Sequence, residues 1–143
     1  MDRFEDLTVG DTDAFGTYEV TGEEIREFAE RYDPQPFHTD PDAAAETPFG
    51  GLVASGWHTA AMTMRLLVDN RLSTIATRGA VGVDDLRWHQ PVRPGQTLAV
   101  ETEIVDKRDW DDDTGLVDVA VTTLADDEPV MTMVGLVLVD RRS

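Results

Sequence analysis

Apolar residues change period twice along the chain. Ile25, Phe28, Ala29 and Tyr32 recur three and four positions apart, as on one buried face of a helix, and predict an α-helix over about 22–31. Thr21-Gly22-Glu23-Glu24 opens it as a capping box, Thr21 accepting from the backbone at Glu24 while the Glu24 side chain reaches back. The helix must stop before Asp33-Pro34-Gln35-Pro36, because each proline removes a donor and biases its predecessor away from helix. Asp40 then stands as N-cap to Pro41, starting a short helix through Ala43, Ala44 and Ala45 that Thr47-Pro48 ends. The longest helical pattern follows Ser55-Gly56, with Trp57, Ala60, Ala61, Met64, Leu67, Val68 and Leu72 expected on one face.

Beyond Ala80 the period becomes that of strands: 81–89, then the alternation Leu98, Val100, Thr102, Ile104, then 116–124 and 130–139. Turn residues at Pro91–Gly95, Asp111–Gly115 and Asp126–Pro129 separate them at hairpin distances. The stretch from Phe4 to Val20, broken at Gly10 and Gly16, reads as a leading strand or arm. A curved antiparallel sheet wrapped on the long helix is the simplest arrangement, an α+β fold, and 143 residues suit one domain over 1–143.

The net charge of -17, from 29 acidic and 12 basic residues, makes nucleic acid and anionic membranes unsuitable partners. Asp outnumbers Glu 19 to 10, and 11 of the 12 cations are arginine, leaving Lys107 alone. Such a surface suits molar salt, where a Debye length of about 3 Å screens self-repulsion, and it resembles proteins of extremely halophilic archaea. With no cysteine, disulfides, thiolate catalysis and cysteine-bound metals are excluded. The first residues lack the pattern of a signal peptide, and no apolar run approaches the roughly 18 residues of a membrane span, so a cytoplasmic protein is expected.

Candidate chemistry gathers between residues 33 and 58. Asp33 and His38 lie five apart on a segment stiffened by Pro34 and Pro36, and a carboxylate with an imidazole can together orient and activate one water. The Gly56 end of the long helix adds unpaired backbone N–H groups and a positive dipole end, suited to a carbonyl oxygen that gains negative charge. Together they point to chemistry beside a carbonyl. Asp40 is assigned to capping and His89 to structure, and no metal site is expected because the spacings of Asp33, His38, Asp40 and His58 match no ligand signature.

Tyr32-Asp33-Pro34-Gln35-Pro36-Phe37-His38-Thr39-Asp40-Pro41, then Phe49-Gly50-Gly51-Leu52-Val53-Ala54-Ser55-Gly56-Trp57, and later Gln90-Pro91-Val92-Arg93-Pro94-Gly95, resemble the MaoC-like dehydratases, which include the (R)-specific enoyl-CoA hydratases. The resemblance spans nearly the whole chain. It implies a hot-dog fold, a homodimer with the site near its interface, and an acyl-CoA thioester as substrate with no other cofactor. It further implies that Asp33 and His38 are the catalytic pair and that the Gly56 N–H binds the thioester carbonyl, with Gln35, Ser55, Trp57 and His58 as substrate-binding candidates. Two positions depart from the family: Gln35 stands where its hydratases often have Asn, and Met64 where some have a hydroxyl residue.

The reaction so implied is reversible hydration of a 2-enoyl-CoA to an (R)-3-hydroxyacyl-CoA. Two alternatives compete with it, a hot-dog thioesterase attacking the carbonyl carbon and a non-catalytic acyl-CoA-binding subunit. An anionic coenzyme on an acidic protein also demands local cations, for which Arg65, Arg71, Arg78, Arg87 and Arg93 are the candidates.

Overall fold

A computed structural model describes residues 1–142. After a short 3-10 turn at Phe4–Asp6 come β1 (Thr12–Glu19), α1 (Gly22–Tyr32), α2 (Pro36–Thr39), α3 (Pro41–Ala45) and α4 (Gly56–Asn70). A second 3-10 turn, Leu72–Thr74, leads to β2 (Thr77–Trp88), β3 (Thr97–Asp109), β4 (Thr114–Ala125) and β5 (Glu128–Asp140). The strands form one antiparallel sheet in the order β1-β3-β4-β5-β2.

The main core lies where the sheet meets α4. Met62, Leu66 and Leu67 of α4 are buried against Leu98 and Val100 of β3, Val121 of β4 and Met131 and Met133 of β5. Ile25 of α1 joins the same cluster, fixing the three N-terminal helices over one end of α4. A smaller cluster of Phe4, Leu7, Ile75, Ile104, Val117 and Val139 seals the other end.

Three expectations change here. The first concerns α4, whose buried face is His58, Thr59, Met62, Thr63, Leu66 and Leu67, so that the predicted stripe of Trp57, Met64 and Val68 stays 61%, 46% and 45% exposed. Apolar character misplaced the face because polar residues in the core satisfy themselves: Thr63 donates to the Thr59 carbonyl at 2.8 Å and shares a 2.7 Å hydrogen bond with Thr123 of β4.

The second concerns Pro91–Gly95, which is no hairpin. β2 pairs only with β5, at the opposite side of the sheet from β1, so this segment crosses from the β2 edge to β3. It is held by Ala54 N–H donating to Val92 C=O and Gly95 N–H to Val20 C=O, both 2.8 Å, and so lies against the start of α4. The third is the capping box. Glu24 N–H donates to Thr21 as expected, at 3.2 Å, but the Glu24 carboxylate turns to Tyr18 and His58 instead of the N-cap backbone.

Candidate active site

Every part of the proposed catalytic pair is placed by helix ends. α1 terminates at Asp33, whose N–H still donates to Ala29 C=O at 2.8 Å while Pro34 forbids a further turn. The next residues do not stay a loop: Pro36 starts the one-turn helix α2, which carries His38 back over Asp33. Residue 53 then ties this turn down twice. Val53 N–H donates to Phe37 C=O at 3.2 Å, and Val53 C=O accepts from His38 Nδ1 at 2.6 Å.

The second bond decides the imidazole's chemistry. A carbonyl only accepts, so Nδ1 carries the hydrogen and neutral His38 presents a bare Nε2. That nitrogen stands 3.4 Å from Asp33 Oδ2, with His38 almost wholly buried. Two acceptors therefore face one another across a gap that a proton, or a water donating to both, would bridge.

The Asp33 carboxylate is held from two further sides. Gln35 Nε2 donates to Oδ1 and the fully buried Ser55 Oγ to Oδ2, each at 2.7 Å. Burial alone pushes the Asp33 pKa up, but these two hydrogen bonds, joined by the attraction of the His38 imidazole whenever it is protonated, outweigh it and leave the pKa below the usual carboxylate value. Asp33 is thus ionised at neutral pH. Ser55 is at the same time the N-cap of α4, accepting from Trp57 N–H at 3.3 Å, so one hydroxyl couples the carboxylate to the helix start.

His38 lines a cleft of about 370 Å³ together with Phe37, Phe49, Val53, Gly56, Trp88, His89 and Gln90, and Asp33 stands behind it at the Nε2 side. Gly56 is the first residue of α4, so its N–H belongs to the unpaired set at the helix terminus. Trp88 covers the other side of that glycine. Its Nε1 donates to Gly56 C=O at 2.9 Å, and a Cβ built on Gly56 would lie 2.4 Å from the indole.

The candidates divide accordingly. Asp33, His38, Gln35, Ser55 and Gly56 converge on one place. Trp57 instead packs edge-on against Trp88, with ring centroids 5.1 Å apart. His58 lies outside the cleft, in a groove between α1 and α4, where Nε2 meets Glu24 Oε1 at 3.1 Å and the ring stacks on Phe28. Asp40 caps α3, accepting from Asp42 and Ala43 N–H, as its sequence context predicts. Sequence reasoning missed Phe37, Phe49 and Trp88 as walls and Val53 as the tautomer-fixing acceptor. A backbone carbonyl carries no sequence signal, and Trp88 comes close only because the crossover turns back there.

The family model described as MaoC like domain matches residues 8–126. The chain belongs to the MaoC-like dehydratase family. Its fold is the hot-dog fold, as the resemblance implied. The crystal structure of a MaoC-like dehydratase from Rhodospirillum rubrum superposes with a TM-score of 0.92 at 41% identity, covering 100% of this chain and 99% of that one. An uncharacterised Bacillus subtilis protein, YdeM, is 25% identical over 121 residues, 85% of this chain and 86% of that protein. A Methylorubrum extorquens protein named 3-hydroxybutyryl-CoA dehydratase is 33% identical over 105 residues, 72% of this chain and 64% of that protein. The family places the chain, at a coarse level, among hydratases and dehydratases. Among the described residues, no helix is long and apolar enough to cross a membrane.

Proposed function

We propose that this MaoC-like protein catalyses the reversible addition of water to a 2-enoyl-CoA, giving an (R)-3-hydroxyacyl-CoA. The observation that carries the reading is the 3.4 Å approach of Asp33 Oδ2 to the bare Nε2 of His38, which lines a cleft whose wall includes the Gly56 helix terminus. Two acceptors in that position take the two hydrogens of one water and leave its oxygen lone pairs facing the substrate. The oxygen bonds to the β carbon while a water proton passes to the pair. Electrons of the C=C bond move onto the thioester oxygen, which the Gly56 N–H stabilises, and a proton delivered to the α carbon completes the addition of H2O. Asp33 and His38 share both transfers. The dehydratase name of the Methylorubrum relative is consistent with this direction of chemistry or its reverse.

The arginines support a coenzyme thioester. Arg65, Arg71 and Arg78 are paired with Asp69, Asp2 and Asp140, whereas among the described residues Arg87 and Arg93 form no salt bridge. Arg93 follows the cleft residues Pro91 and Val92, and its Nη1 lies beside Gly51, 3.8 Å from where a Cβ there would stand. These two are therefore the cations proposed for the CoA phosphates. A homodimer accounts for the apolar surface left over: Trp57, Met64 and Val68 on α4, and Val81 and Val83 on the edge strand β2, the latter pair 47% and 50% exposed. A cytoplasmic site of action in a high-salt cell fits the charge.

The test is incubation of the purified protein in molar KCl with crotonyl-CoA, following loss of the conjugated enoyl absorbance and, separately, release of free thiol. Loss of absorbance without thiol is expected. Thiol release without hydration would establish a thioesterase instead, and neither change would favour a binding subunit. Solution scattering in the same buffer should give the mass of a dimer.

A further inference from the structure

The indole of Trp88 occupies a position that nothing in the reaction itself requires. It lies on the face of Gly56 so closely that any side chain there would collide with Cε2, Cδ2 and Nε1 at 2.4, 2.6 and 2.8 Å. Three contacts fix it. Its Nε1 is bound to the Gly56 carbonyl, its ring meets Trp57 at 81°, and its backbone pairs with Met131 of β5. A ring so held cannot swing aside as an unbranched side chain would without breaking the hydrogen bond and the aromatic contact.

We propose that Trp88, braced by Trp57, is the wall that limits the acyl chain, restricting this enzyme to short 2-enoyl thioesters. The inference rests on the hydration reading, which puts the thioester carbonyl at the Gly56 N–H and the β carbon at Asp33 and His38. From those two anchors the acyl chain must continue into the cleft, where Trp88 stands on one side and the Phe37–Phe49 pair, 5.5 Å between centroids, on the other. The cleft's 370 Å³ equals roughly a dozen water volumes. That holds the reacting end of the thioester and a few carbons beyond it. A longer chain must either displace the indole or run out through the open side of the cleft, where its added carbons gain no burial.

The measurement is the ratio of kcat/KM for 2-octenoyl-CoA to that for crotonyl-CoA, taken within each variant so that any general loss of activity cancels. Wild type should use the longer substrate at least tenfold less efficiently, a discrimination within reach of a hydrophobic wall. Trp88→Ala and Trp88→Leu should raise the ratio at least tenfold, and Trp88→Phe, which keeps a ring, should leave it within threefold of wild type. Equal efficiency of wild type on both substrates would overturn the wall whether or not any variant folds. An unchanged ratio in folded Trp88→Ala and Trp88→Leu would do so as well. Failure of the hydration reading would look different, since wild type would hydrate neither substrate. Calorimetric titration with the thioethers S-butyl-CoA and S-octyl-CoA, which can be neither hydrated nor hydrolysed, then decides: a tenfold relative gain for S-octyl-CoA in Trp88→Ala sustains the wall, and no gain removes it.

Discussion

Two carboxylate–imidazole pairs lie close to the start of α4, and only one is arranged to act on a third molecule. In the first, His38 commits Nδ1–H to the Val53 carbonyl, so its bare Nε2 confronts Asp33 Oδ2 at 3.4 Å. In the second, His58 Nε2 meets Glu24 Oε1 directly at 3.1 Å, Tyr18 donates to the same oxygen, and buried Nδ1 has no partner among the described residues. One pair leaves an imidazole nitrogen bare at a cleft with an ionised carboxylate beside it. The other satisfies its carboxylate internally and is covered by the Phe28 ring, 4.7 Å away and nearly parallel. What differs is not the functional groups but which imidazole nitrogen is spent on a structural bond.

The sharpest way to break this contrast is to remove one member of each pair. Asp33→Asn and His38→Gln should each lower hydration by about 10²–10⁴-fold, the range for a positioned acid or base, with circular dichroism unchanged. Glu24→Gln and His58→Gln should cost less than tenfold in activity and show mainly as a lower melting temperature, since they untie β1, α1 and α4. Equal losses in both sets would erase the distinction.

A second test probes the helix start that the two pairs share. Gly56→Ala drives a methyl into Trp88 and should destabilise the protein by about 1–3 kcal/mol, read as a lower midpoint in denaturant. Adding Trp88→Ala should recover most of that loss, giving a coupling energy that independent sites would not show. Additive losses would mean that the close approach is not what excludes a side chain at position 56.

A third follows from the donors on Asp33. They outweigh burial and depress its pKa, so the carboxylate contributes stability and activity above its unfolded value that are lost as pH falls through the depressed folded value. Gln35→Ala removes one donor, raises that pKa, and should move the acid limb of the kcat/KM profile to higher pH with a small change at neutrality. An unmoved limb would assign the ionisation to another group.

Much of this was legible in the sequence, for physical reasons that can be named. Pro34 and Pro36 bracket the chain reversal that brings His38 onto Asp33, and Ser55-Gly56 marks the start of α4, because caps and prolines act through local backbone geometry. The sheet order was not legible. β2 and β3 are neighbours along the chain yet pair with β5 and with β1 and β4, a choice made by curvature around α4 and not by the turn residues between them. Hydrophobicity likewise put Trp57, Met64 and Val68 inwards, because it counts apolar surface without knowing whether the protein or a second copy will cover it. Glu24 was the subtler case. Its spacing from Thr21 fits a capping box, but a carboxylate within reach of a phenol and an imidazole is bound more strongly by them than by one exposed backbone N–H.

The smallest expected effect belongs to the second pair. Burial, the hydrogen bond to Glu24 and the Glu24 charge push the Tyr18 phenol up to about 12 from an ordinary 10.0. The folded state then holds this proton more tightly than the unfolded one, so the associated stability is fully present below about pH 10 and is lost as pH rises from there through 12. Glu24→Gln removes the charge but not the burial. Its phenol should therefore titrate lower than in wild type yet still above 10, visible as an earlier rise of phenolate absorbance. A profile identical to wild type would mean that Glu24 does not hold Tyr18. The second pair would then be a simple His58–Glu24 contact, and the internal satisfaction that sets it apart from Asp33 and His38 would have to come from Phe28 alone.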